Sequence, residues 1–334
     1  MALSTIQNNS FADTAVHGYR NLIINGNFSV SQRGTSFTTD NVYTLDRWFS
    51  GDGTGGTPAR TLSQETFTLG QTDVPNAYYY LRHNQTGAST NGNSSLVQKI
   101  EDVTRFDGQT VTLSFYAKAD AAMDIDVLFI QDFGTGGSPS SDVTLTETVS
   151  IGTSWTRYTV TKTLGSLSGK TLGSDGVNTS FLSINMVLQP TTTFTLDLAL
   201  CQLEYGSQAT PFEHRPFGDE LARCQRYYEK SFDYNTAPVQ NVGSVSGSLT
   251  VSGVSTTANV LLGHVNFAVV KRALPVIYRY NPYYAGTGWS QAGALDLNSA
   301  TYGIGTNGFS MRVESAPTLA NTNLLIHWVA DSEL

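Results

Sequence analysis

Apolar and polar residues alternate along most of this chain. Val111, Leu113, Phe115 and Ala117 are interleaved with Thr110, Thr112, Ser114 and Tyr116. Ile125, Val127 and Phe129 alternate with Asp124 and Asp126, and Leu182, Ile184, Met186 and Leu188 continue the series. Phe194, Leu196, Leu198 and Leu200 alternate with Thr195, Asp197, Ala199 and Cys201. Successive side chains of a strand leave opposite faces, so period two marks a strand with one face buried. Glycine-rich turns separate the runs at Gly51-Asp52-Gly53, Gly134-Thr135-Gly136-Gly137 and Gly173-Ser174-Asp175-Gly176. Many short antiparallel strands over residues 20–215 predict a β-sandwich of jelly-roll type.

The period changes at Pro216. Leu221, Cys224 and Tyr228 recur at helical spacing, with Asp219 and Glu220 near the start and Lys230 near the end, as the helix dipole favours. The pattern predicts a connector helix over residues 216–232. Residues 233–334 return to alternation through Val265, Phe267 and Val269, Val276, Tyr278 and Tyr280, and Phe309, Met311 and Val313. They predict a second, smaller β-domain, making the fold class all-β. Both faces of Leu324–Val329 are apolar, which suits a strand buried on both sides or one lying against a neighbouring subunit. The Gly/Ser/Val stretch 241–257 reads as an edge strand or a hinge.

Residues 1–19 are polar and aperiodic. Fixing them costs roughly 1–2 kcal/mol per residue in backbone entropy. They are expected to order only where a partner or sister subunit receives them, with Leu3, Ile6, Phe11 and Val16 as anchor points. Without a partner the segment is a frayed terminus.

Composition narrows the function. Charged residues are 14% of the chain, against roughly 25% in ordinary soluble domains. The 19 basic residues form no cluster, and the net charge is -8, which argues against gripping nucleic acid phosphates. No run of 18 apolar residues predicts membrane insertion, and the first residues lack the pattern of a signal peptide. Cys201 and Cys224 are read as free thiols.

Catalytic constellations are not apparent in the sequence. The five histidines lack metal-ligand spacing, and neither a Gly-x-Ser-x-Gly elbow nor a phosphate loop is present. Asp124 and Asp126 are the nearest carboxylate pair, and they read as two solvated charges on an outer face rather than as glycosidase acids. No enzymatic activity is expected.

Two stretches say more than composition. The first is Asn21-Leu22-Ile23-Ile24-Asn25-Gly26-Asn27-Phe28, followed by Gln32-Arg33-Gly34 and Tyr43-Thr44-Leu45-Asp46-Arg47-Trp48. The second is Leu203-Glu204-Tyr205-Gly206, then Ala209-Thr210-Pro211-Phe212-Glu213, then Glu220 to Tyr228. In this order they resemble bacteriophage and prophage tail-fibre proteins with a jelly roll like that of carbohydrate-binding modules. Phe267 to Pro282 looks like the terminal β-domain of that group, although Val270-Lys271-Arg272 departs from its usual Met-Arg pair. Leu3-Ser4-Thr5-Ile6-Gln7 looks like a fibre attachment segment.

The resemblance implies a homotrimeric virion fibre or spike, made in the host bacterial cytoplasm and carried on the phage tail. Residues 1–19 would attach it to the tail, the baseplate or another virion protein, and host surface polysaccharide would be its outer partner. A head-decoration or head-fibre protein of the capsid and a polysaccharide-degrading tailspike are the alternatives. The organisation expected is an attachment arm at 1–19, a jelly roll at 20–215, the helix at 216–232 and the terminal β-domain at 233–334.

Such jelly rolls often hold a structural calcium between first and last strands. Asn27 and Asp197 would be its oxygen ligands here, with a plain exposed aspartate as the other reading. No other cofactor is required. For glycan binding, Tyr280, Tyr283, Tyr284 and Trp289 stand out because Pro282, Gly286 and Gly288 break the strand around them. Tyr284 and Trp289 could instead fill a trimer core. Tyr78-Tyr79-Tyr80 is a weaker candidate, since alternation should bury at least one ring. Structurally, Asn25-Gly26 supplies a turn, Phe28 and Trp48 seat in the core, and Arg33 and Arg47 pair with Asp46 or Glu213.

Overall fold

The computed structural model describes residues 20–52, 59–87, 94–188, 192–241, 243, 246–252, 259–291, 295–315 and 323–334. The expected anchor residues Leu3, Ile6, Phe11 and Val16 lie outside them.

Among the described residues, twelve strands come first. They are β1 (Ser36–Phe37), β2 (Val42–Tyr43), β3 (Phe49–Asp52), β4 (Arg60–Thr66), β5 (Tyr79–Gln85) and β6 (Ser94–Glu101). The series continues with β7 (Thr110–Ala119), β8 (Met123–Asp132), β9 (Val143–Ile151), β10 (Thr156–Thr163), β11 (Phe181–Leu188) and β12 (Phe194–Tyr205). They form two antiparallel sheets of six strands, in the orders β1-β4-β5-β12-β7-β10 and β2-β3-β6-β11-β8-β9. The chain passes back and forth between the sheets, which is the sandwich that the alternation predicts.

A helix α1 (Phe217–Gln225) and nine more strands follow. These are β13 (Tyr228–Lys230), β14 (Leu249–Val251), β15 (Val260–Asn266), β16 (Val276–Tyr280) and β17 (Trp289–Gln291). The last are β18 (Leu295–Leu297), β19 (Ser299–Tyr302), β20 (Gly308–Val313) and β21 (Leu324–Asp331). β21 pairs with β13, β14, β16 and β17, while β15, β20 and β19 make a separate three-stranded sheet. β21 has paired neighbours along its length, and residues of both its faces, Ile326 and Trp328 on one and His327 and Val329 on the other, are buried, as the two apolar faces require. Of the stretch 241–257, Leu249–Val251 is a strand paired to β21.

Contacts divide the chain into two compact units. Unit 1 holds the described residues of Met1–Asn27, Asp52–Arg60 and Glu65–Arg215; unit 2 holds Phe28–Gly51, Thr61–Gln64 and those of Pro216–Leu334. Residues 28–51, which carry β1, β2 and most of β3, count with unit 2 by their contacts although these strands belong to the two six-stranded sheets.

In unit 1 the inward residues of the alternating runs are buried, among them Val111, Leu113, Phe115, Ile125, Val127, Phe129, Leu182, Ile184, Leu196 and Leu198. Each large apolar side chain so buried contributes roughly 1.5–3 kcal/mol. Asp124 and Asp126 sit on the opposite face of β8. They accept hydrogen bonds from Ser150 and Thr148 of β9 at 2.6 Å each.

The alternation fails within β12. The pairing register with β7 shifts between Ala199 and Gln202, and Leu200 takes a left-handed φ of 49°. Leu198 lies opposite Ala117 and Leu203 opposite Leu113, so the buried parity switches from even to odd across this bulge. Leu200, expected to point inward with Leu196 and Leu198, packs instead with Val74 and Ala199 in a separate cluster.

In unit 2, α1 ends at Gln225, seven residues short of the predicted end. Tyr228–Lys230 instead pair with Val329–Asp331 as a strand, because that register supplies β partners for backbone that a longer helix would satisfy internally. The buried residues of α1 are Glu220 and Cys224, with Leu221 half-buried. A core of Trp289, Phe309, Met311, Val313, Leu324, Ile326 and Trp328 fills the terminal β-domain.

The motif residues build a buried charged network in unit 2. Gln32 donates from both its backbone N and its Nε2 to Asp46, at 2.6 and 2.7 Å. Arg33 lies 3.9 Å from Asp46 and 3.2 Å from Glu333, with its guanidinium 3.6 Å from the Tyr228 ring centre. Arg47 pairs with Glu333 and stacks 3.5 Å over Tyr227. The Arg33–Asp46 pairing matches the sequence reading. Glu213 is not the partner of either arginine; in unit 1 it pairs with Arg215 at 3.1 Å and caps the Arg20 and Asn21 amides.

Candidate functional site

The loop 280–289 is built on Asn281. Its buried side chain accepts from the amides of Tyr283 and Tyr284 at 2.9 and 3.2 Å and donates to Asp296 at 2.8 Å. Tyr283 and Tyr284 are exposed, and Tyr280 is half-buried, edge-on to Phe232. Trp289 is not on the surface. It opens β17, where it is fully buried among the core residues of unit 2, and its Nε1 donates to the Arg312 carbonyl at 3.1 Å. Its ring is withdrawn from any ligand, so of the predicted glycan residues only the tyrosines remain accessible.

Asp197, read as a calcium ligand, lies in β12 on the face opposite its leucines, and its carboxylate is engaged by Arg82. Its side chain is 3% exposed, and Arg82 donates from Nε to Oδ1 at 2.7 Å and from Nη2 to Oδ2 at 2.9 Å. A cation bound there would have to displace the guanidinium. Asn27 is half-buried and is not among the side chains bonded to Asp197. Among the described residues no three acidic, histidine or cysteine side chains form a metal-binding group.

The arrangement around Asp197 is the site that geometry singles out. Pairing places Arg82 of β5, Asp197 of β12 and Lys118 of β7 side by side on the outer face of one sheet of unit 1. One step along the strands, Ala199 lies opposite Tyr116. Larger side chains meet over the small, buried Ala199 side chain. Phe67, Tyr80, Tyr116, Trp155 and Phe212 pack, partly buried, on Val74, Ala199 and Leu200.

Three of these rings touch one another. Centroids are 4.8 Å apart for Phe67–Tyr80, 5.2 Å for Phe67–Trp155 and 5.6 Å for Tyr80–Trp155, the last pair edge to face. Arg82 lies 5.5 Å from the Tyr80 ring and Lys118 5.3 Å from the Trp155 ring, within cation–π range. Burial first, then the Asp197 charge, holds the Tyr80 phenol above its ordinary range. The Asp197 hydrogen bonds hold Arg82 firmly protonated.

This face offers partly buried aromatic rings beside fixed polar donors. Sugar rings present C–H faces that stack on aromatic side chains, and hydroxyls that accept and donate hydrogen bonds. Tyr80 belongs to the triplet that sequence reading ranked second. Trp155 stands just before β10, outside every alternating run, and Phe67 just after β4. Residues so far apart in sequence carry no joint signal; the strand pairing and the bulge at Leu200 bring them together.

Compared with known proteins, the sequence matches no family model and no curated protein. Similar solved structures do exist. One is a putative sugar binding protein from Bacteroides thetaiotaomicron, at 15% identity and TM-score 0.38, covering 56% of this chain and 100% of that one. Another is the family 11 carbohydrate-binding module of a Clostridium thermocellum cellulase, at 16% identity and TM-score 0.32, covering 53% and 98%. A third is the enzymatically active domain of tailspike protein 4 from bacteriophage CBA120, at 13% identity and TM-score 0.37. It is matched over 56% of this chain but only 22% of its own length.

Proposed function

We propose that unit 1 is a non-enzymatic glycan-binding module, and that the chain is a subunit of a virion fibre or spike that contacts host surface polysaccharide. The observation that carries the glycan reading is the partly buried group of Phe67, Tyr80 and Trp155 beside the donors of Arg82 and Lys118. The motif order from Asn21 to Tyr228 supports the virion reading. A homotrimer would present three such faces, and weak sugar contacts would add by multivalency.

Three measurements test this. Electrophoresis through gels containing polysaccharide should retard the wild-type protein and not Trp155→Ala. Light scattering should give three times the chain mass. Antibody labelling of virions should decorate the tail; decoration of the head would favour the capsid location instead. New reducing ends appearing in the polysaccharide would overturn the non-enzymatic reading.

A further inference from the structure

We infer that the glycan bound by this face carries an anionic substituent, received at the Lys118–Trp155 end. The inference rests on the glycan-binding reading above and adds the chemical class of the ligand.

The charges form an ordered row across the sheet. Arg82 on β5, Asp197 on β12 and Lys118 on β7 are cross-strand neighbours, with Trp155 beyond, while Glu65 on β4 lies in the adjacent row with Tyr80. The two cations are each 35% exposed, whereas the Asp197 carboxylate is sunk to 3%. Approaching ligand therefore meets the cations before the anion. Glu65, on β4 beside Tyr80, stands three strands away from Lys118. Arg157, opposite Tyr116 on β10, is a further cation, engaged with Ser114 and the Thr210 carbonyl. Asp120, two residues beyond Lys118, accepts from the Ala121 amide.

Donors at this end are open. Both Asp197 oxygens take hydrogen bonds from Arg82, so Lys118 reaches that carboxylate only as an ion pair at 3.7 Å. Among the described residues the Lys118 ammonium makes no hydrogen bond, and Arg82 Nη1 makes none either. Yet Lys118 is not a freely swinging surface lysine. It is two-thirds buried, and its ammonium is set between the Trp155 ring and Asp197. A cation held in place, with three unused N–H groups and no hydrogen-bonded counter-ion, next to an aromatic ring, suits a sugar carboxylate, sulfate or phosphate. A neutral sugar would leave the ammonium with no charge partner but the Asp197 carboxylate at 3.7 Å, which is already hydrogen-bonded to Arg82.

The test is gel retardation of the full chain against a panel of polysaccharides. Acidic members are alginate, polygalacturonate, hyaluronan and dextran sulfate; neutral members are β-glucan, xyloglucan, galactan and carboxyl-reduced alginate and polygalacturonate. The expected result is retention by at least one acidic polymer, lost on carboxyl reduction where the group is a uronate. Lys118→Met should weaken it roughly tenfold, the loss of one charge-assisted hydrogen bond, and Trp155→Ala should abolish it. Retention by neutral polymers alone, sensitive to Trp155→Ala but not to Lys118→Met, would overturn the inference and leave the glycan-binding reading intact. Acidic retention indifferent to both substitutions would overturn it as non-specific charge attraction. No retention by any polymer would overturn both.

Discussion

Arg82 grips Asp197 at two points, Nε to Oδ1 at 2.7 Å and Nη2 to Oδ2 at 2.9 Å, across neighbouring strands of one sheet. The pair fixes the guanidinium over the face that carries Tyr80 and Trp155. It also commits a buried carboxylate to a single strong partner. Removing one side of such a pair costs more than the pair contributes, because the other charge is left desolvated.

The two cations beside Asp197 should therefore differ in their effect on stability. Arg82→Leu strands the carboxylate with only Lys118 at 3.7 Å, and should cost about 2–3 kcal/mol, discounted because Arg82 is partly exposed. Lys118→Met removes a longer ion pair and should cost about 0–1 kcal/mol. Urea unfolding followed by circular dichroism gives both values. Equal losses would show that Asp197 does not depend on the two-point contact.

Gly26 should not tolerate a side chain. Its carbonyl accepts the Cys201 amide at 2.8 Å, and a Cβ there would press deep into the Cys201 carbonyl, which is backbone and cannot swing away. Gly26→Ala should lower stability by about 3 kcal/mol. Gly218 in α1 meets nothing within 4 Å, so Gly218→Ala should raise it by roughly 0.5–1 kcal/mol. Thermal melting of the two variants checks the contrast.

His83 makes unit 1 sensitive to acid. It is fully buried, stacked on Phe194 at 5.3 Å, with Nε2 3.2 Å from Ser94 Oγ. Burial first, and the nearby Arg60 charge second, push its pKa from 6.5 down to about 3. The unfolded chain takes up a proton below about 6.5 that the folded chain refuses. Stability is full above that pH and falls as pH drops towards 3, by up to about 1.36 kcal/mol per unit. His83→Phe should show a shallower loss than wild type between pH 6.5 and 4 in urea titrations. Burial raises the carboxyl pKa of Asp46 and Asp331, giving slopes of opposite sign, but these are common to both proteins and cancel in the difference.

The sandwich was legible because its strands bury one face, and Val111–Ala117 and Ile125–Phe129 print that on the sequence as period two. The doubly apolar run at Leu324–Val329 was legible for the complementary reason. What escaped was set by pairing rather than by pattern. The bulge at Leu200 looks like unbroken alternation until its register with β7 is known. Trp289 reads as a loop aromatic after two glycines, yet β17 starts there and takes it into the core. Tyr228 fits a helical period, but a strand partner at Asp331 claims it. The Phe67–Tyr80–Trp155 group needs three separate segments to converge, and no local rule anticipates that.

The central claim is that the outer face around Ala199 binds sugar through its aromatic rings. Gel retardation by polysaccharide, run on wild type and Trp155→Ala with matched circular dichroism spectra, tests it most directly. The wild-type protein should be slowed, and Trp155→Ala should migrate as it does without polysaccharide while remaining folded. A folded Trp155→Ala protein slowed as strongly as wild type would contradict it.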